Sequence, residues 1–176
     1  MDWVGHHVDI AHWGMDCDHT GPVEIQGTGK VPLTGLWNAH TEYNVDCRYA
    51  NGIVMNLSDK NEGGTKWIGE NGWIYVNRGA LDAYPKSVLN ETIGPDGIHL
   101  YKSVDHMQNF LDCMKSRQLT ITPCEVAHRS ASVGHLALIA IKIGRKIKWD
   151  PEKEQIIGDE QAACLMAEPM RSPWHS

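Results

Sequence analysis

Three carboxylates and three imidazoles crowd one stretch near the start of the chain, D-W-V-G-H-H-V-D-I-A-H-W-G-M-D, from Asp2 to Asp16. At a helical turn of about 100° per residue, Val4, Val8, Ala11 and Met15 share one stripe. Asp2, His6, Asp9, His12 and Asp16 gather on the opposite side, with Trp13 among them. Asp2 and His6 are four apart and His6 and Asp9 three apart, both contact spacings on a helix. A carboxylate that touches one imidazole nitrogen fixes the tautomer and raises the basicity of the other, which is how a general base is built. His7 falls in the apolar sector and reads as a buried, hydrogen-bonded histidine rather than a ligand. Two other readings of the same face stay open. It can be a solvated helix face, or it can hold zinc, iron or manganese, which suit His and carboxylate ligands. Against the metal, no H-E-x-x-H pair and no second ligand cluster is present.

The elements that must position this face follow from the rest of the pattern. With 176 residues the chain suits one domain with a real core. Its net charge of −6, with no basic stripe, argues against a nucleic-acid partner. No apolar run approaches membrane length, so no membrane partner is expected. The charged helix at the start leaves no room for a signal peptide, and the expected compartment is the cytoplasm. Five widely spaced cysteines without a C-x-x-C suit a reduced chain.

After the first helix, Gly14 to Gly21 reads as loop, Pro22–Gln26 as a short strand and Gly27–Gly35 as loop. Tyr43, Val45, Cys47 and Tyr49 alternate with polar neighbours, Asn51-Gly52 signals a hairpin, and Ile53, Met55 and Leu57 form the return strand. Lys66–Gly69 and Trp73–Val76 repeat the logic around Asn71-Gly72. Four strands with tight turns predict an antiparallel meander, one face buried against helices and the other wet or meeting a second subunit. Residues 78–96 read as irregular, Ile98–Tyr101 as one more short strand. Ser103 is expected to cap a helix whose Met107, Phe110, Leu111 and Met114 face a core. Thr122-Pro123-Cys124-Glu125 reads as a capping box opening a helix that runs to Gly144, apolar nearly all round from Leu136 to Ile143. Its polar first half, with His128, Arg129, Ser130 and Ser132, either faces a cleft or forms a solvated end. Residues 145–150 read as a basic segment after the helix end, and Asp159 as the cap of a last short helix. The fold class is α+β: an open, largely antiparallel sheet with helices packed on one face.

With these elements in place, Asp2-x-x-x-His6-x-x-Asp9 resembles the second signature of the glucose–fructose oxidoreductase / inositol dehydrogenase (Gfo/Idh/MocA) family. The stretches W-I-G-E-N-G-W-I-Y-V-N-R-G, P-C-E-V-A-H-R-S-A-S-V-G-H-L and G-R-K-I-K-W-D-P resemble the C-terminal half of a bacterial branch of that family. The resemblance covers essentially the whole chain. It implies that His6 is the proton acceptor or donor as hydride passes between a sugar or polyol hydroxyl and NAD or NADP, and that Asp2 assists it. Asp9, one turn on, is a candidate to bind a neighbouring substrate hydroxyl.

A dinucleotide enzyme needs a βαβ unit whose glycine turn admits the pyrophosphate to a helix N-terminus. Gly27–Gly35 (G-T-G-K-V-P-L-T-G) fails that spacing, and Pro32 interrupts where the helix should begin. The expectation is a C-terminal substrate-binding and oligomerisation domain, residues 1–176, without its nucleotide-binding Rossmann half. No cofactor is expected to bind this chain tightly, and the Rossmann half would come from the same or a separate chain. A homo-oligomer through the sheet is expected, with a sugar or polyol as substrate. One alternative is a sheet-mediated dimeric sugar-binding or assembly module without catalysis, its tryptophans stacking on sugars. A weaker one is a small metal-dependent isomerase or hydrolase built on Asp2, His6, Asp9 and His12.

Overall fold

The computed structural model describes residues 2–174, and side chains from residue 3 onward. Helix α1 (Asp2–Met15) leads into strand β1 (Glu24–Lys30), then β2 (Glu42–Arg48) and β3 (Val54–Ser58). Strands β4 (Thr65–Gly69), β5 (Gly72–Asn77) and β6 (Ala80–Tyr84) follow, then α2 (His106–Ser116) and α3 (Cys124–Ile143). The described chain closes with β7 (Ile147–Asp150), β8 (Gln155–Ile156) and α4 (Glu160–Ala163). A five-stranded sheet has the order β3-β2-β1-β7-β8, and a three-stranded sheet the order β4-β5-β6. Every described pairing is antiparallel. The fold is α+β with open sheets, as the pattern predicts.

Alternation makes the large sheet one-sided. Val45, Cys47 and Tyr49 are buried, and their cross-strand partners Ile25, Met55 and Leu57 lie on the same face. Helix α3 covers that face with Val133, Leu136, Ala137 and Ala140, and α1 adds Val8. The opposite face carries Gln26, Thr28, Asn44, Asp46, Arg48 and Asn56, all exposed. The Asn51-Gly52 hairpin forms, with Gly52 at φ +89° and the Asn51 side chain accepting from the Ile53 amide at 3.1 Å. Gly144 ends α3 in the left-handed conformation, and Asp159 caps α4 through the Ala162 amide.

Several expectations are corrected. Strand β1 begins at Glu24 and runs through Gly27 and Gly29, into the stretch expected to be loop. Glycine suits β1 because a Cβ on Gly27 would lie 2.5 Å from Val45 Cγ2 and 2.7 Å from the Asn44 carbonyl oxygen. The four-strand meander is in fact two hairpins in different sheets. β4 and β5 pair with β6, inside the region expected to be irregular, while Ile98–Tyr101 forms no strand. Asp105 rather than Ser103 caps α2, by accepting from the Gln108 amide. The Thr122 capping box is absent: Pro123 is the N-cap of α3 and no side chain bonds there. The basic segment after Gly144 contains β7, because Ile147 and Trp149 alternate into the core and Ile147 pairs with Ile25.

The largest correction concerns α2. Its stripe does not face a core: Met107 is 64% exposed, Phe110 50%, Leu111 42% and Met114 51%. Only Cys113 of this helix is buried. Asn109 instead ties α2 to its own flanks, donating to the Tyr101 hydroxyl and accepting from the Ile121 amide.

Replacing Gly27 by alanine should lower the unfolding free energy by about 1–3 kcal/mol, the usual cost of overpacking. Urea denaturation checks this, and an unchanged midpoint would mean that β1 has room at this position.

Candidate active site

Helix α1 is gripped on two sides. Toward the large sheet it buries Val8 and Ala11 and packs on α3. Toward the small sheet it is clamped by β4. The Thr65 hydroxyl donates to the His7 carbonyl at 2.9 Å, the Gly64 amide to His7 Nδ1 at 3.1 Å, and the Trp67 indole N–H to the Ala11 carbonyl at 3.4 Å. His7 is thus half-buried and hydrogen-bonded, in line with its reading as a structural histidine. Gly14 lets the indole close in, since a Cβ there would sit 2.6 Å from the Trp67 ring.

The remaining arc of α1 opens on a cleft of about 1090 Å³. Gly5, His6, Asp9 and Trp13 form one wall, with Asp18 and His19 just after the helix. Residues flanking α2, including Tyr101 and Ser103, and the first turns of α3, including Ser130, complete it. His6 is exposed, with the Trp3 ring 5.8 Å from its own. Asp9 is half-buried, and the buried Ser130 hydroxyl donates to its Oδ1 at 2.9 Å. His6 and Asp9 are therefore brought to one cleft, whereas the Asp2 side chain lies outside the described residues.

His12 does not belong to that face. It is completely buried, and its Nε2 lies 2.6 Å from the Tyr49 hydroxyl, edge-on to the Tyr49 ring. Its Nδ1 has no partner among the described residues. Burial pulls the imidazole pKa down to about 4, against a smaller upward pull from Asp9. Burial likewise pushes the Tyr49 hydroxyl up, and Cys47 up to about 12, so both stay protonated. A metal site shared by His6, Asp9 and His12 is overturned by this geometry. Among the described residues no group of three or more His, Cys, Asp or Glu is placed to hold a metal ion.

The polar first half of α3 divides its loyalties. Ser130 and Glu125 line the cleft, whereas His128 points to Glu154 at 2.8 Å. Arg129 bonds Glu125, Glu154 and the Pro151 carbonyl, fastening α3 to the β7–β8 turn. The pattern gave no signal for Asp18 and His19, which read as plain loop. Asp18 Oδ1 is enclosed and has no hydrogen-bond partner among the described residues. Burial first, then Asp9 and Asp16, hold its carboxyl above the usual carboxylate range, with His19 opposing. Nor do the described residues form a dinucleotide cradle. Such a cradle needs parallel strands feeding a glycine turn, and every described pairing is antiparallel.

Fold and site define an α+β domain that presents an exposed imidazole beside carboxylates in a cleft along its first helix. The family model described as the Gfo/Idh/MocA oxidoreductase family, C-terminal alpha/beta domain, matches residues 1–176, and the chain belongs to that family. Solved structures share the fold at low identity. The UDP-N-acetylglucosamine 3-dehydrogenase GnnA from Acidithiobacillus ferrooxidans is 16% identical with a TM-score of 0.53, over 80% of this chain and 46% of that one. The aldose-aldose oxidoreductase from Caulobacter crescentus, complexed with glycerol, is 13% identical with a TM-score of 0.58, over 82% and 45%. The WlbA dehydrogenase from Bordetella pertussis, in complex with NADH and UDP-GlcNAcA, is 14% identical with a TM-score of 0.56, over 84% and 43%. The chain thus spans less than half the length of each of these three. No curated protein matches it in sequence. No described helix is long and apolar enough to cross a membrane.

The His12 geometry makes stability depend on pH. The unfolded chain protonates His12 near 6.5, the folded one only near 4. Between those values the unfolded state binds more protons, so stability falls as pH is lowered through the window and is unaffected above it. The loss should reach about 3 kcal/mol by the lower end. Urea denaturation across this range should show it, and His12→Gln should flatten the slope. An equal slope in the variant would assign the effect elsewhere.

Proposed function

We propose that this chain is the substrate-binding and oligomerisation part of an NAD(P)-dependent oxidoreductase acting on a sugar, cyclitol or related polyol. The observation that carries the reading is the joint placement of His6 and Asp9 on the open arc of α1, facing one cleft. His6, partnered by Asp2, accepts the proton of the reacting hydroxyl. Asp9 has one oxygen held by Ser130 and offers the other to a neighbouring hydroxyl. The dinucleotide supplies the hydride acceptor and is held by a Rossmann domain, in the same chain or another. GnnA and the aldose-aldose oxidoreductase bear names of sugar chemistry, and the WlbA structure contains NADH and UDP-GlcNAcA. These likenesses support the reaction class, not a substrate. The polar outer face of the five-stranded sheet is the surface we assign to self-association, which light scattering of the purified chain would report as a dimer or higher mass.

Joined to a nucleotide-binding domain in a working enzyme, His6→Ala should lower kcat by about 10²–10⁴, the usual worth of a general base. A change of less than a few-fold would remove His6 from this role. Calorimetric titration of the chain alone with NAD(H) and NADP(H) should show no tight binding. Stoichiometric tight binding would contradict the division of labour.

A further inference from the structure

We propose that Trp3 is a positioning residue for His6, wedging the imidazole into one orientation, and that Arg78 of the small sheet holds Trp3 in place. The inference deepens the oxidoreductase reading and rests on it for the role of His6 as a base.

His6 is exposed on an open cleft, where a side chain ordinarily hops between rotamers. A general base must instead stand within about 2.6–3.2 Å of the proton it takes. Trp3 precedes His6 by three residues, a contact spacing on a helix, and helical side chains lean back toward the N-terminus. His6 leans onto Trp3 accordingly, with ring centroids 5.8 Å apart and planes tilted by 53°. The same indole meets the His7 ring at 6.0 Å. His7 gives it a firm backing, because the Gly64 amide bonds the His7 ring and the Thr65 hydroxyl its carbonyl. A third contact comes from the small sheet. Arg78 Cζ lies over the Trp3 ring, 5.0 Å from its centroid and within cation–π range. A half-exposed indole in the first turn of a helix needs such neighbours to stay put.

The tip of the small sheet is built to deliver that cation. Asn77 pairs with Ala80, which leaves Arg78 and Gly79 as a two-residue turn with Gly79 at φ +73°. The Asn77 side chain accepts from the Arg78 amide at 2.8 Å and donates to the Gly63 carbonyl at 2.7 Å. The Tyr75 hydroxyl donates to that carbonyl too. Gly63 adjoins Gly64, whose amide holds His7, so this turn and the start of α1 are one tied unit. The join has no slack: a Cβ on Gly64 would lie 2.6 Å from the Val76 carbonyl oxygen. Restraint therefore passes from the β5–β6 turn to Arg78, from Arg78 to Trp3, and from Trp3 to His6. No described residue of the small sheet lines the cleft, yet its tip fixes the neighbour of a cleft imidazole.

The test is NMR on the purified, isotope-labelled chain. Three-bond couplings to the His6 Cγ read its χ1 rotamers, and nuclear Overhauser contacts read its approach to the Trp3 indole. The native chain should show one dominant His6 rotamer and clear contacts to the indole. Trp3→Ala should average the His6 couplings over the staggered rotamers, and Trp3→Phe, which keeps a ring there, should restore the dominant one. Arg78→Ala, a surface change, should weaken the His6–Trp3 contacts at least about twofold, and Arg78→Lys, which keeps the cation, should weaken them less. His7 should keep its rotamer throughout, since its own hydrogen bonds remain. An averaged His6 in the native chain would overturn the inference. So would a dominant rotamer that survives Trp3→Ala, or His6 and His7 loosening together in both alanine variants. In a working enzyme with a nucleotide-binding domain, Trp3→Ala should lower kcat about tenfold and leave KM within about twofold. An effect on KM alone would make Trp3 a substrate contact and end its positioning role. Turnover unmoved by His6→Ala, with the NMR result as expected, would defeat the oxidoreductase reading alone.

Discussion

Helix α1 must satisfy two packing partners while leaving a third side open, and the rest of the domain is arranged around that demand. Fourteen residues carry it. The large sheet and α3 take Val8 and Ala11, and β4 takes the His7 carbonyl and ring and, through Trp67, the Ala11 carbonyl. The far end is fixed by His12, whose bond to Tyr49 ties the helix to the end of β2 across 37 positions of sequence. A neutral, buried imidazole is a poor proton carrier but a firm anchor, because a hydrogen bond in a dry interior is both stronger and harder to exchange. Held at three places, α1 has little freedom to turn, so His6 and Asp9 face the cleft by default.

Helix α3 divides its labour along its length. Its second half is packed almost all round, with Val133, Leu136, Ala137 and Ala140 on the large sheet. Its first half is tethered by Arg129 to the β7–β8 turn and places Ser130 beneath Asp9. One element therefore links the stability of the core to the orientation of a cleft carboxylate. That hydroxyl sets which Asp9 oxygen is occupied, and so which has no hydrogen-bond partner among the described residues.

Much of this was legible in the sequence, for a common physical reason. Val45, Cys47 and Tyr49 alternate because one face of their sheet is dry, and Asn51-Gly52 turns because both residues tolerate positive φ. His12 was not legible. Helical spacing groups it with the polar residues, and what draws it inward is a tyrosine hydroxyl brought by a distant strand. Asp18 was hidden for the opposite reason, since a loop residue has no periodicity to betray it. In α2 the stripe of Met107, Phe110, Leu111 and Met114 is helical, as its spacing predicts, but it faces no core. Amphipathicity tells which residues share a face, but not what covers that face. At Ile147 and Trp149 the interleaved Lys146 and Lys148 mask an alternation that is present in the strand. The role proposed for His6 rests on the family resemblance, because spacing alone does not separate a reactive imidazole from a solvated one.

The openness of the cleft bears directly on the proposed chemistry. A general base works only if its proton can leave and its substrate can arrive, and the exposed His6 meets both conditions. In the proposed reading a hydride acceptor must also reach the carbon whose hydroxyl proton His6 would take, within about 3–3.5 Å of the reacting atom. The wall built by this chain brings carboxylates, imidazoles and hydroxyls to the cleft, but its described strands form no nucleotide cradle. In the proposed reading, this division fits a reaction in which a proton and a hydride leave the same substrate carbinol in different directions. The proton goes to an imidazole on a fixed helix, the hydride to a carrier that must approach from the open side. In that reading a cleft closed by its own chain would leave no path for the carrier, so an open side is what the proposed chemistry requires.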